Sequence, residues 1–355
     1  MVKKFYDFVF VNFFGFVEGG KRSVLVILDE KAKENYLFLF YIYNAAKLLR
    51  GIKRSYYFGI VFDYVKFDYM MMKSQFMLHK SKIMENLKEL FQKLNIDLLV
   101  ISRKEFFIDR KSNRIVIKDK EINYKKLMSA LEVSKEFKHP ILKPDNHTSF
   151  LAHDFIKFNR NIERVVIYGS GSFSYSLSSL LGNLSGIEVF HVLSNKPFLY
   201  DLQISDELKE IAKRRLIEDL KINLIENDDP VEYWHKENKA FLRLKNYGLI
   251  ENIDIILLEE NEEVNHKEMF FVFGIPSISY RLPKSYSNVK ILKPNKLLLN
   301  VEEDIIKVYV DDKDIVKGYE IVANDSEVFA YILDRYIKHK LPFDRFMDLL
   351  EIYSL

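Results

Sequence analysis

Two hydrophobic periods alternate along the chain, and the changes between them mark the predicted elements. Short runs dense in Val, Ile and Phe predict strands over 5–14, 24–28, 56–62 and 96–102, the second ending in Asp29-Glu30. A helical period runs from Lys31 to Leu49, and Gly51 is expected to close it. Another covers Lys80–Leu94, with Ile83, Leu87, Leu90, Phe91 and Leu94 on one face. The runs 105–108 and 114–118 flank Asp109–Asn113 and predict a β-hairpin. Pro140 and Pro144 mark 137–149 as a connector and the best boundary in the chain, with a helix expected after it over 152–158.

Beyond the connector the alternation is regular. Strands are predicted over 165–168, 188–193, 222–225 and 254–258, and helices over 174–181 and 206–220. An antiparallel excursion is expected around 240–246, with Trp234 and His235 in a loop before it. This spacing predicts a parallel, doubly wound sheet over about 160–260. A strand over 305–310 and helices over 326–339 and 343–352 close the chain.

Composition narrows the chemistry. The 355 residues contain no cysteine, which excludes a disulfide framework, a thiolate metal site, a cysteine nucleophile and a redox-active disulfide. Only 12 residues are glycine, roughly half the usual ~7%, so few loops can bring backbone close to a pyrophosphate. With 54 Lys+Arg against 51 Asp+Glu, the net charge of +3 points to no specific nucleic-acid partner. The eight histidines show no H-x-x-x-H spacing, and no metal is expected; His147, His153 and Asp154 are the nearest to a cluster. Apolar stretches fall short of the ~20 residues that span a bilayer, and Asp7 interrupts the N-terminal run, so a cytoplasmic protein without a membrane span is expected. The carboxylate pairs Asp228-Asp229, Glu259-Glu260 and Asp311-Asp312 read as solvated loops. The aromatic clusters in the first half read as core or interface.

One motif carries a specific signal. A Val-Val-Ile strand runs into Gly169-Ser170-Gly171-Ser172-Phe173-Ser174 and then a helix, a G-x-G-x-x-S form of the dinucleotide fingerprint. Gly169 permits the tight turn, Gly171 allows a pyrophosphate close to the backbone, and Ser174 is small enough for helix–sheet packing. Amides at the helix start would face the phosphates. The acid expected about 20 residues on is replaced by Leu193-Ser194-Asn195-Lys196, and Lys196 would suit a 2′-phosphate, favouring NADP over NAD.

The order of these segments resembles the pyridine nucleotide-disulfide oxidoreductase family, flavoproteins in which an FAD domain is interrupted by an NAD(P) domain. Residues 6–11 resemble the opening strand, and 24–30 the second strand with its terminal acid. Residues 123–130 resemble the segment ending the first part of the FAD domain. Glu163–Ser174 stands where the family has its NAD(P) fingerprint. Residues 205–208, 221–224 and 254–258 resemble later units of that domain, and 307–312 resemble the segment near the flavin.

The departures are equally specific. Asn12-Phe13-Phe14-Gly15 replaces the first glycine cradle, and only eight residues separate Gly15 from Val24, so a hairpin across Glu18–Lys21 is expected there. Three further family glycines fall in Ala130-Leu131-Glu132, Glu259-Glu260-Asn261 and Asp312-Lys313, placing carboxylates where phosphates and the flavin ring belong. The resemblance implies an α/β fold: a Rossmann-like NAD(P)-type domain over 151–275, inserted in a remodelled FAD-type Rossmann domain over 1–150 and 276–355. It implies NADP or NAD at Gly169, Gly171, Ser174 and Lys196, and a former FAD ribose site at Asp29 and Glu30. Flavin binding and redox chemistry are expected to be lost. The expected role is a binding or structural subunit with a protein partner or as a homodimer, its aromatic clusters forming the interface. The alternative is an active, disulfide-independent NAD(P)H:flavin oxidoreductase like the ferredoxin reductases or type II NADH dehydrogenases. No catalytic residue is named by either.

Overall fold

Strands β1 (Lys4–Val11), β2 (Val24–Leu28) and β3 (Ile96–Val100) open the fold, with helices α1 (Glu30–Ser55) and α2 (Tyr69–Lys93) between the last two. These come from a computed structural model that describes residues 4–11, 23–55, 67–93, 95–118, 120–129, 137, 139–145, 147–259, 269–272, 274–293 and 304–347. The strand expected over 56–62 lies outside the described residues, as do 348–352 of the last expected helix. Strands β4 (Phe106–Asp109), β5 (Arg114–Ile117) and β6 (Lys120–Ser129) complete a six-stranded sheet in the order β3-β2-β1-β6-β5-β4.

Two expectations are corrected here. β1 and β2 pair in parallel, with Phe8 opposite Val24 and Val11 opposite Ile27, so they form no hairpin. The entry to β2 is clasped instead: Asp7 N–H donates to the Ser23 carbonyl at 2.9 Å, and Ser23 N–H donates to Asp7 Oδ2 at 3.1 Å. Helix α1 also runs on to Ser55, so Gly51 lies inside the helix and does not close it.

After the connector come β7 (Ser149–Leu151), a 3-10 turn over Ala152–Lys157, β8 (Arg164–Tyr168), α3 (Ser172–Asn183), β9 (Glu188–Val192), α4 (Asp206–Glu218) and β10 (Asn223–Ile225). The meander β11 (Pro230–Lys236), β12 (Lys239–Leu244) and β13 (Gly248–Ile253) follows, then β14 (Ile255–Leu258). The sheet order is β10-β9-β8-β14-β7, parallel throughout. Trp234 lies in β11, stacked on Phe241 of β12 at 5.4 Å, so it belongs to a strand and not to a loop.

The chain continues through β15 (Met269–Val272), β16 (Ser277–Arg281), β17 (Asn288–Leu292), β18 (Ile305–Val310), β19 (Val316–Ala323) and α5 (Ser326–His339). These strands form an antiparallel sheet, β15-β16-β19-β18-β17, with α5 packed on one face. Lys307–Val310, which resembled part of a flavin site, is a central strand of this sheet.

Period-two alternation explains the core. Val24, Val26 and Leu28 enter one cluster with α1, α2, α3, Val165, Ile167, Ile255 and Leu257, while Leu25 and Ile27 enter another with residues of β1, β4, β5 and β6. The other face of β8 and β14, Val166, Tyr168, Ile256 and Leu258, packs on β12 and β13. Strands buried on both faces are what a parallel sheet requires. Among the described residues, the aromatic clusters expected to form an interface largely enter this core. Tyr36, Phe38, Tyr43, Tyr69 and Phe76 are all buried, and Phe38 meets the Tyr69 and Phe76 rings edge-on at 6.0 and 5.1 Å. Met72 is likewise buried, leaving Met71 exposed.

Candidate functional site

β8 delivers the chain to the glycine turn at the carboxyl edge of the parallel sheet, where α/β folds place their ligand sites. Gly169 N–H donates to the Val192 carbonyl at 3.0 Å, and Leu199 N–H donates to the Ser170 carbonyl at 2.6 Å. Gly171 is the N-cap of α3, and Tyr175 N–H donating to its carbonyl is the first helical bond. Ser174, the third fingerprint position, is fully buried and turns its hydroxyl onto the Gly171 carbonyl at 2.9 Å. Gly169, Gly171 and Ser174 are thus brought together as a strand–turn–helix unit.

The first amides of a helix have no partner within it and attract anions. Here two carboxylates of the same chain take them. Glu259 Oε2 accepts from Gly171 N–H at 2.8 Å, and Glu259 Oε1 accepts from Ser174 N–H at 3.0 Å. Asp201 accepts from Ser172 N–H at 2.9 Å and from the Ser172 hydroxyl at 2.5 Å.

Strand geometry explains the first of these. Leu258 pairs with Tyr168, and Glu259 N–H donates to the Tyr168 carbonyl at 2.9 Å, which sets Glu259 beside Gly169. Ile255 and Leu257 face α3, and the next position in that period is 259. The missing side chain at Gly169 leaves room for it. A Cβ at Gly169 would lie 2.4 Å from Glu259 Oε2 and 2.5 Å from its Cβ, and one at Gly171 would lie 2.8 Å from Oε1. Glu259, expected in a solvated loop, therefore fills the turn.

The charge balance of this pair is unfavourable. Burial pushes the Glu259 carboxyl up to about 7, and the Asp201 carboxylate adds to the rise against the two amide bonds. Burial also raises the Asp201 carboxyl, opposed chiefly by the hydrogen bonds from Ser172. Beneath the turn, His191 is fully buried in β9 and its Nε2–H donates to the Gly169 carbonyl at 3.0 Å. Burial lowers its pKa to about 4, which keeps the ring neutral at physiological pH.

The remaining residues read from sequence lie elsewhere. Lys196 follows β9, and its ammonium stands over the Tyr200 ring at 4.1 Å. Asp29 lies between β2 and α1 at the carboxyl edge of the first sheet, where its carbonyl accepts from Lys33 N–H; Glu30 is the first residue of α1, and its side chain is outside those described. His147 meets His235 at 5.9 Å, and the expected approach of His147 to His153 lies outside the described side chains. Among the described residues no group of three or more His, Asp or Glu could hold a metal, and no helix is long and apolar enough to cross a membrane. Asp228, also expected in a solvated loop, is buried and accepts from Asn246 and Tyr247 N–H. Sequence reasoning missed Asp201 altogether, since nothing in a Phe-Leu-Tyr-Asp turn marks it.

No protein-family model matches the chain, and no curated protein matches it in sequence. Solved structures do. The chain is similar to the Cu(II) complex of a mutant of the HOCl-induced flavoprotein disulfide reductase RclA from Escherichia coli, at 14% identity and a TM-score of 0.57, over 97% of this chain and 95% of that one. It is also similar to LpdA from Mycobacterium tuberculosis, at 10% identity and a TM-score of 0.58, over 95% and 94%. The chain therefore has the fold of the flavoprotein disulfide reductases, a mixed α/β fold with parallel sheets of Rossmann type.

Proposed function

We propose that this protein uses the disulfide-reductase fold without its redox chemistry, as a binding or structural subunit that holds neither flavin nor NAD(P). The observation that carries this reading is the seating of Glu259 across Gly169 and Gly171. As it stands the turn does not fit a diphosphate. The amides of Gly171, Ser172 and Ser174 already bond to the side chains of Glu259 and Asp201, and an incoming phosphate would have to displace both.

The flavin side supports the same reading. Only residues 12–23 join β1 to β2, and an ordinary helix alone takes ~11–12 residues. That length leaves no room for a phosphate loop followed by such a helix. Exposed Leu48, Val328 and Tyr331 offer apolar surface to a protein partner or a second copy.

The resemblance to reductases over nearly the whole chain favours the opposite reading, an active NAD(P)H:flavin oxidoreductase. A visible absorbance spectrum of the purified protein, with and without added FAD, separates the two. A protein that stays colourless is expected. A retained flavin band that bleaches with NADPH would restore the reductase.

A further inference from the structure

We propose that the outer face of α2 rests on an anionic lipid surface, with exposed Met71, Met77 and Leu78 entering the headgroup layer and the lysines around them meeting the anionic headgroups. The inference goes beyond the reading of the glycine turn and holds whether or not a cofactor binds there.

The sequence of α2 divides between two faces. Tyr69, Met72, Phe76 and Ile83 are buried and fix the helix to the fold, with the Phe76 ring edge-on to Phe38 of α1 at 5.1 Å. A surface helix ordinarily carries polar residues on the face opposite. Here that face presents Met71 and Leu78, 65% and 73% exposed, and Met77 beside Leu78 is 46% exposed. Met71 and Leu78 are seven residues apart, so they stand in one line, two turns or about 10 Å from each other. Five of the chain's nine methionines lie in this one helix. Core packing does not account for the apolar side chains among them that face water.

The charge around these tips has one sign. From Tyr69 to Met84 the chain has no Asp or Glu and carries Lys73, Lys80 and Lys82. Lys82 lies one turn from Leu78, and Lys73 and Lys80 lie one turn to either side of Met77. Lys73 Nζ donates to the Phe158 carbonyl at 2.5 Å, and Glu34 of α1 pairs with Lys80 at 3.1 Å, so three cations stand against one acid here. Apolar tips among lysines are the pattern of a helix lying in a membrane interface. The tips leave water, while lysine stems follow the apolar surface and their ammonium groups reach the headgroups.

The same charge argues against a second copy of the chain, because two such faces would set lysine against lysine. Shape then favours lipid over an acidic protein. The outer face of a helix is convex, and methionine and leucine tips on it pack best against a medium that yields around them. Acyl chains yield in this way, whereas a folded partner needs a groove matched to the ridge. The contact is peripheral, since α2 is held to the fold by its buried face.

The absence of cysteine makes the test direct. Leu78→Cys, labelled with an environment-sensitive fluorophore, is mixed with phosphatidylcholine vesicles holding about 30% phosphatidylserine, and with pure phosphatidylcholine vesicles. Brighter, blue-shifted emission is expected with the anionic vesicles alone, and no change from the same label at Val289→Cys, exposed in β17. Co-sedimentation of the whole unlabelled protein with the anionic vesicles should fall at least about tenfold when Met71→Glu is combined with Leu78→Glu. Lys82→Glu should weaken it too, as should salt at about 0.5 M. The substituted positions are exposed, so an unchanged urea midpoint separates lost binding from unfolding. Undiminished binding by the double variant, or equal binding to both kinds of vesicle, overturns the inference. A wild type that ignores anionic vesicles also overturns it, and would turn the face over to an acidic protein. None of these results depends on flavin or NADPH, so this inference and the non-redox reading fail separately.

Discussion

Replacing Arg215 by Met should lower the stability of the protein by about 3–5 kcal/mol, the usual cost of leaving one partner of a buried ion pair behind. Arg215 is buried in α4 and donates through all three nitrogen positions. Nη1 reaches Asp304 Oδ1 at 2.6 Å, Nη2 reaches Asn324 Oδ1 at 2.9 Å, and Nε reaches Asp219 Oδ2 at 2.9 Å. Asp304 and Asn324 bracket β18 and β19, so this guanidinium ties the second parallel sheet to the antiparallel one. Arg50 of α1 comes within 3.9 Å of Asp219 and bonds to Asn183 of α3 at 2.9 Å, extending the joint to the first sheet. Methionine matches the aliphatic stem but takes the guanidinium away from the buried Asp304 carboxylate. Urea unfolding measures the loss, and the double variant Arg215→Met with Asp304→Asn should recover part of it. An unchanged midpoint for Arg215→Met would mean that the joint contributes nothing.

The second large effect concerns the turn itself. Gly169→Ala should cost about 1–3 kcal/mol by overpacking, because its new Cβ would stand 2.4–2.5 Å from Glu259 atoms. The clash lies entirely with that one side chain, among the three nearest atoms to the new Cβ. Glu259→Gly therefore should relieve it, and the double variant should be more stable than the sum of the single changes by at least about 1 kcal/mol. Glu259→Gly alone exposes two amides to water or leaves them unpaired, so it carries its own cost. The double-mutant cycle removes that cost from the comparison. Additive effects would place Glu259 outside the turn.

The strand–turn–helix unit at 164–183 was readable because local pattern and tertiary role agree there: a four-residue apolar core strand, two glycines, then a helix. The position of Glu259 was also implicit, since period-two alternation from Ile255 and Leu257 points it toward α3. Its carboxylate was read as solvated because adjacency to Gly169 depends on pairing β14 with β8, a long-range contact that no local pattern contains.

Of the antiparallel sheet only β18 is read from its apolar run, and its neighbours β16 and β19 are hidden for a different reason. These two strands bury polar residues, which break the apolar runs that mark a strand. Ser277 donates to the Ala323 carbonyl, Ser279 pairs with Ser326, and Glu320 accepts from Ser205 and Tyr309. Gly318 lies in β19 because a Cβ there would come within 2.4 Å of the Arg281 carbonyl oxygen. These polar groups are satisfied by partners distant in sequence, so no local pattern marks the two strands. The β1–β2 connection misled through its length, which sits at the lower limit for a parallel crossover, and through a Gly19-Gly20 pair that reads as a hairpin turn.

The account turns on whether the glycine turn is closed to nicotinamide dinucleotides by the chain's own carboxylate. Titrating NADPH into the wild-type protein and into Glu259→Gly, followed by nicotinamide fluorescence, tests this most directly. The account predicts no saturable change for the wild type up to about 1 mM, where even weak specific binding would show, and binding that is gained or strengthened in Glu259→Gly. Saturable binding by the wild type, equal to or tighter than that of the variant, would contradict it.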